Sequence, residues 1–105
     1  MVKTLTVTDM TPPTVAITNP KNNSIVIRNT TVTINATASD NVGVTKVEFY
    51  VNNVLTCTDT SAPYSCGWNV PTKIKMNTPF NLQAKGYDAQ GNVGESKVSV
   101  TSRNK

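Results

Sequence analysis

Short runs of alternating apolar and polar residues, separated by turn residues, dominate this chain. In residues 31–39, Val32, Ile34 and Ala36 fall on one face of an extended strand, and polar side chains fall on the other. Residues 44–51 alternate in the same way. About seven such runs in 105 residues predict an all-β domain, a seven-stranded sandwich of two sheets.

The alternation also predicts which side chains point into the sandwich. The dipeptide Asn52-Asn53 lies between two alternating runs and is a signal for a two-residue hairpin. The predicted inner face consists of Val15, Ile17, Val32, Ile34, Ala36, Val47, Phe49, Val51, Leu55, Trp68, Leu82, Ala84, Val98 and Val100.

Two cysteines, Cys57 and Cys66, flank the octapeptide TDTSAPYS. They do not form a CxxC redox pair, and two thiols without histidine cannot complete a four-ligand zinc site. We therefore predict a disulfide and, with it, an oxidising compartment. Two free buried thiols are the alternative.

The composition argues against several function classes. The chain has no histidine, the commonest general base, and its six acidic residues show no pair lining a cleft. The net charge of +4 comes from scattered lysines and arginines rather than a basic stripe. No apolar segment is long enough to span a membrane. We expect a monomer without catalytic residues, organic cofactor, nucleic-acid partner or membrane insertion.

Four segments resemble the bacterial immunoglobulin-like repeat domains of large cell-surface and secreted proteins. They are TPPTVAITNP, ATASDNVGVTKVEFYVNN, APYSCGW and LQAKGYDAQGNVG, and the resemblance covers residues 11–101. It implies a seven-stranded immunoglobulin-like sandwich, tandem arrays and no catalysis. Such domains serve as spacers, stalks or adhesion modules and often accompany carbohydrate-active enzymes. Cys66 departs from the family pattern, which has an aromatic or apolar residue there, and a partner at Cys57 accounts for the departure.

The first ten residues echo the end of the domain. Residues 3–8, KTLTVT, are similar to residues 97–101, KVSVT. We therefore interpret residues 1–10 as a leader or linker that corresponds to the last strand of a preceding repeat, residues 11–102 as the domain, and residues 103–105 as a tail. An additional edge strand of this domain is the alternative for residues 1–10.

Two turns contain acidic residues. An immunoglobulin-like layout places the loops of Asp40 and Asp88 at one end of the sandwich, together with Asp9 before the first strand. Asn41 and Asn92 add amide oxygens, and calcium binds six to eight oxygen ligands. The set is therefore a candidate calcium site. The alternative is that these are turn residues, since Asp and Asn bond to the turn backbone.

Tyr50 and Tyr87 are the outward-facing aromatic residues that could contact a glycan or another surface ligand. The expected pairing places Tyr87 beside Lys46 and Tyr50 beside Asn81 or Gln83, so we predict that the two rings lie far apart. The sequence thus favours a non-catalytic extracellular module, a structural spacer or adhesion domain whose partners are the neighbouring domains of its parent chain. The alternative is a carbohydrate- or surface-binding accessory module of a secreted enzyme.

Overall fold

Residues 11–103, the part of the chain that the computed structural model describes, form eight β-strands in two facing sheets. This confirms the predicted all-β sandwich. Within this range, no helix is long and apolar enough to cross a membrane. The strands are β1 (Thr14–Asn19), β2 (Ser24–Ile27), β3 (Thr31–Ser39), β4 (Val44–Val51), β5 (Val54–Asp59), β6 (Tyr64–Asn69), β7 (Pro79–Asp88) and β8 (Val93–Arg103).

The two sheets differ in size. The smaller sheet has the order β1-β3-β6, and the larger has the order β2-β8-β7-β4-β5. Neighbouring strands are antiparallel except for β2, which pairs in parallel with the end of β8. The sequence predicts seven strands, and β2 is the additional one. Its four residues, SIVI, are too short a run for alternation to show clearly.

The core lies between the sheets and largely matches the predicted inner face. Trp68 and Phe80 meet edge to face, with ring centroids 5.0 Å apart. The predicted residues that are buried are Ile34, Ala36, Val47, Phe49, Trp68, Leu82, Ala84 and Val100, while Val15, Ile17, Val32, Val51 and Val98 are partly buried against them. Buried apolar residues outside the predicted set are Val26, Tyr64, Cys66, Val70 and Phe80.

The prediction for Leu55 is wrong. Its side chain is 51% exposed because the register between β4 and β5 shifts at this point. Phe49 pairs with Cys57, whereas Tyr50 pairs with Leu55, so Thr56 is an extra residue on β5. Such a bulge breaks the alternation, so side chains before it and after it point to faces that a regular strand would not give them. Cys57 and Leu55 therefore do not share a face.

The hairpin between β4 and β5 is confirmed. Val51 pairs with Val54, which leaves Asn52 and Asn53 as the two turn residues. Their φ angles are 49° and 68°, and a two-residue hairpin with both residues in this region suits Asn.

The domain begins and ends at opposite ends of the sandwich. At the entry end, β1 begins beside the end of β3, and Val44 pairs with Asp88 at the β7–β8 turn. At the exit end, β8 finishes at Arg103, and the β6–β7 loop bonds to it through Asn77 N and Ser102 O, 2.7 Å apart. The chain therefore runs from one tip to the other.

The entry of β1 rests directly on two paired glycines of the larger sheet. Gly86 of β7 pairs with Gly94 of β8. A Cβ atom on Gly94 would lie 1.8 Å from the carbonyl oxygen of Pro13, and one on Gly86 would lie 2.7 Å from Cγ2 of Val15. The absence of side chains lets the buried Pro13 approach the sheet, which fixes where the chain enters the domain.

Candidate functional site

The outward face of the larger sheet places five polar and aromatic side chains side by side. β4 contributes Lys46, Glu48 and Tyr50 at alternate positions, and β7 contributes Lys85 and Tyr87. Lys46 pairs with Tyr87, and Glu48 pairs with Lys85. We call these five residues the Glu48 cluster.

Glu48 joins the two tyrosines. The hydroxyls of Tyr50 and Tyr87 both donate to Oε1 of Glu48, at 2.7 Å and 2.6 Å. Lys46 Nζ lies 3.4 Å from the other carboxylate oxygen, and the Glu48 side chain is only 13% exposed. The carboxylate is thus held on three sides by donors.

These bonds change the acidity of all three groups. The hydroxyls of Tyr87 and Tyr50, with smaller help from Lys46, hold the pKa of Glu48 below its ordinary value. The carboxylate in turn raises the pKa of Tyr87 and of Tyr50, since each hydroxyl bonds to a negative acceptor. Both tyrosines therefore stay protonated at neutral pH and act as hydrogen-bond donors.

The two lysines of the cluster lie over the rings. Lys46 Nζ is 4.7 Å from the ring centroid of Tyr87, and Lys85 Nζ is 5.0 Å from that of Tyr50. The pairing of Lys46 with Tyr87 follows the predicted register. Lys85 is directly opposite Glu48 but reaches diagonally to Tyr50. Cation–π contact and hydrogen bonding together fix the rings on the sheet.

We predicted that the rings of Tyr50 and Tyr87 lie far apart; the structure shows that their hydroxyls nevertheless meet at Oε1 of Glu48. The register places their backbones where we expected, with Tyr50 opposite Gln83 and Tyr87 opposite Lys46. Each side chain, however, extends along the sheet face toward the row between them, and both hydroxyls reach Glu48. Strand parity identifies the face of a residue but not the direction of a long side chain.

Sequence reasoning did not find Glu48 as the centre of this face. The available signal was its position in the row between the two tyrosines, within the diagonal reach of aromatic side chains across a sheet. The cluster offers two fixed amphipathic rings and two ammonium groups on an open face. That arrangement suits binding of a polar ligand rather than covalent chemistry.

We predict that Glu48→Gln lowers the free energy of unfolding at pH 7 by about 1–2 kcal/mol, because charge-assisted hydrogen bonds become neutral ones. The folded-state pKa is lowered, so the ionised carboxylate stabilises the fold above the ordinary value of 4.5. That stabilisation is lost as the pH falls from 4.5 through the folded-state pKa. Wild type and variant should therefore converge in acid.

Urea denaturation at pH 7 and at steps below 4.5 measures this difference. The control is Glu95→Gln, which makes the same charge change at an exposed residue of β8 in the same sheet. A constant gap between wild type and Glu48→Gln across the whole pH range would contradict the assignment.

The structure also describes most of the predicted calcium site at the entry end. Asp40 Oδ2 accepts bonds from the backbone N–H groups of Val42 and Gly43, at 3.1 Å and 3.2 Å. Its Oδ1 is buried and has no hydrogen-bond partner among the described residues. Asn41, between Asp40 and Val42, is exposed. Asp40 is thus a turn residue with one carboxylate oxygen unused.

Asp88 organises the β7–β8 turn. Its side chain is buried, and Oδ1 accepts the backbone N–H groups of Gln90 and Asn92, at 3.0 Å and 2.9 Å. Oδ2 accepts the Nδ2 donor of Asn92, also at 2.9 Å. These contacts are those expected of a turn residue.

The calcium hypothesis stays a prediction. Asp9, its third carboxylate, lies outside the described residues, and no group of three metal-binding side chains occurs within residues 11–103. The β3–β4 loop and the β7–β8 turn do share the entry end, since Val44 pairs with Asp88. A calcium titration followed by backbone amide shifts, with EDTA as the control, tests the hypothesis. Saturable shifts at all three acids would support it, and none at millimolar calcium would exclude it.

Cys57 and Cys66 form a disulfide with Cα atoms 5.7 Å apart. Cys57 is on β5, the outer strand of the larger sheet, and Cys66 is on β6, the outer strand of the smaller sheet. Asp59 holds the connecting loop by accepting the backbone N–H groups of Ser61 and Ser65. The bridge therefore closes one side of the sandwich.

Comparison with known proteins agrees with this architecture. No curated protein matches the chain. A solved structure of the CbhA fibronectin(III)-like modules of Clostridium thermocellum is similar, with 26% identity and a TM-score of 0.76 over 89% of this chain. The match covers 47% of that chain, about half its length. The family model described as Bacterial Ig domain matches residues 13–101. The chain therefore belongs to the bacterial Ig domain family, as the resemblance of its sequence predicted.

Proposed function

We propose that this chain is a non-catalytic extracellular module that acts as a structural spacer within a multidomain surface or secreted protein. The observation that carries the proposal is the placement of the two ends. The chain enters at Thr14 and leaves at Arg103 at opposite tips of the sandwich. β8 has 11 residues, a length of about 35 Å at the usual rise per residue. A module of this kind separates its neighbours by its own length.

The family and the disulfide support this assignment. Bacterial Ig domains typically occur in surface or secreted proteins, and modules of the Ig-like and fibronectin III-like kinds are generally non-catalytic. A disulfide between two sheet edges is typical of proteins that fold in an oxidising compartment. The same properties fit an adhesion domain, which differs in having a ligand of its own.

A distance measurement tests the spacer function. The complete chain is placed between a donor and an acceptor fluorescent protein, and their separation is measured by single-molecule energy transfer. We expect one narrow distance population that broadens when urea unfolds the module. A broad population in native buffer, as a flexible tether gives, would reject the spacer function.

The Glu48 cluster favours a second candidate function, a carbohydrate- or surface-binding accessory module. Tyr50 and Tyr87 converge on one acceptor, so their rings belong to one surface. Fixed aromatic rings bind ligands at low entropic cost. Lysine ammonium groups lie over both rings, however, and a stacked sugar would have to displace them. This is why we place ligand binding second.

Affinity electrophoresis through gels containing soluble cell-wall polysaccharides separates the two functions. For a binding module, we expect retardation that the double substitution Tyr50→Ala and Tyr87→Ala abolishes. Lys97→Ala, on the same sheet face beside Gln83, is the control and should remain retarded. If no polysaccharide retarded any of these proteins, the binding function would be rejected and only the spacer function would remain.

A further inference from the structure

Charge is unevenly distributed along the long axis of the domain. The row that joins Glu48, Lys85 and Glu95 divides the larger sheet into an entry half and an exit half. The five acidic residues of the described chain lie in this row or nearer the entry end: Asp40, Glu48, Asp59, Asp88 and Glu95. Within residues 11–103, the exit half holds no acidic residue. Its cations are Lys21, Arg28, Lys73, Lys75, Lys97 and Arg103.

The cationic tip at the exit end is held in place. Arg28 Nη1 donates to the carbonyl oxygen of Ile74 at 2.9 Å. The carbonyl oxygen of Lys75 accepts the hydroxyls of Thr78 and Ser102, both at 2.7 Å. The β6–β7 loop is thereby tied to Arg28, which follows β2, and to β8. It presents the exposed side chains of Lys73 and Lys75 beside Met76, which is 49% exposed.

The entry end offers the opposite charge and a similar apolar residue. Asp40 has a buried carboxylate oxygen without a hydrogen-bond partner among the described residues, and buried polar atoms of native proteins are normally paired. Val42, two residues later, is 58% exposed. One tip therefore presents exposed cations around Met76. The other carries the negative charges of Asp40 and of buried Asp88, which bond to their own turns, together with exposed Val42.

The sequence repeat indicates that consecutive modules are close neighbours. Leu5-Thr6-Val7-Thr8 is similar to Val98-Ser99-Val100-Thr101 at a spacing of 93 residues, with the last two positions identical. By this spacing, Arg103 at the end of β8 corresponds to Met10, which leaves residues 11–13 before β1 begins at Thr14. Three extended residues span about 10 Å, and Pro13 is buried against Gly94. A linker this short brings the two tips together.

We propose that the exit end of this module docks onto the entry end of a following module of the same kind. Lys73, Lys75 and Met76 of one copy face the Asp40–Gly43 loop of the next. This rests on the proposed role as a spacer and adds to it a contact that makes consecutive modules one rigid body. Opposite charges at close range favour this orientation and oppose contact between two like tips.

The test uses two copies joined at the spacing of the sequence repeat. Residues 1–103 are followed directly by residues 11–105. The first copy is complete through Arg103, and its own last strand takes the place of the leader of the second copy. Residual dipolar couplings report whether the two copies share one orientation. At low salt we expect one alignment tensor to fit both copies. We also expect amide shifts at Lys73–Met76 of the first copy and at Asp40–Gly43 of the second, relative to the single chain.

Charge reversal provides the specific variant. Lys73→Glu with Lys75→Glu in the first copy should abolish the common alignment and the amide shifts. Lys21→Glu with Lys97→Glu makes an equal charge change away from the tip and should preserve both. Salt near 1 M, where charges are screened within about 3 Å, should weaken the contact.

Independent alignment of the two copies at low salt would overturn the proposal. It would also be overturned if both pairs of charge-reversal variants lost the common alignment equally. Shifts of the Lys73–Met76 amides on addition of polyphosphate, without any effect of the second copy, would likewise overturn it and identify the tip as a polyanion site. The proposed function is judged separately: a narrow distance population for one module with independent alignment of two would retain the spacer and reject the docking.

Discussion

Replacing Gly94 by alanine should lower the free energy of unfolding by about 3 kcal/mol or more, at the upper end of overpacking effects. The new Cβ would lie 1.8 Å from the carbonyl oxygen of Pro13 and 2.9 Å from its carbonyl carbon. Both are backbone atoms, so no side-chain rotation relieves the contact. The entry of β1 would have to move away from β8, and Val15, which packs on the core beside it, would move as well.

Two other glycines on strands make the experiment a graded series. The one contact of a Cβ on Gly86 that would be too short is with a side-chain atom of Val15, at 2.7 Å, so Gly86→Ala should cost less than Gly94→Ala. A Cβ on Gly67 would have Thr31 Cγ2 at 3.7 Å, an ordinary contact, so Gly67→Ala should change stability by less than about 1 kcal/mol. Urea denaturation of the three variants measures the order. If Gly94→Ala were as stable as Gly67→Ala, Pro13 would not be seated on the sheet.

Alternation predicted most of the fold because each strand buries one face. The fully buried residues Ile34, Phe49, Leu82 and Val100 were all identified in this way. The method fails where the alternation itself is interrupted. One extra residue at Thr56 reverses the parity of β5, and nothing in the composition of VLTCTD marks it.

Contacts between sequence-distant segments were harder to predict. The hydrogen bond between Tyr87 and Glu48 joins residues 39 positions apart, and it depends on the direction of both side chains as well as on the register. The packing of Pro13 on the larger sheet depends on the pairing of Gly86 with Gly94. Strand period assigns each of these residues to a face, but it does not place them along that face.

The acidic turns show the opposite case, in which local chemistry was sufficient. Asp40 and Asp88 each precede a glycine by three residues, and each accepts backbone N–H groups of the residues that follow it. Side-chain bonding of Asp to its own turn is a local property. The prediction that a metal joins the turns needs Asp9 and is not local, so it awaits the titration.

Removing the disulfide should have the other large effect. Cys57 and Cys66 are separated by nine positions, and closing a loop of this size stabilises a fold by about 2.7 kcal/mol in the chain-entropy model. Each cysteine lies on an outer strand, β5 or β6, that pairs with only one neighbour in its own sheet. We therefore expect reduction to lower stability by about 2–4 kcal/mol, with the β5 and β6 amides losing hydrogen-exchange protection before those of β7.

The double substitution Cys57→Ala with Cys66→Ala separates the covalent link from the effect of the reductant. The free energy of unfolding of this variant should match that of the reduced wild type to within about 1 kcal/mol. Any difference should lower the stability of the variant, because alanine is smaller than the buried Cys66 that it replaces. Adding reductant to the variant should change nothing. If oxidised and reduced wild type unfolded at the same urea concentration, the bridge would be dispensable for stability. Packing of β5 against β6 would then be sufficient to close this side of the sandwich.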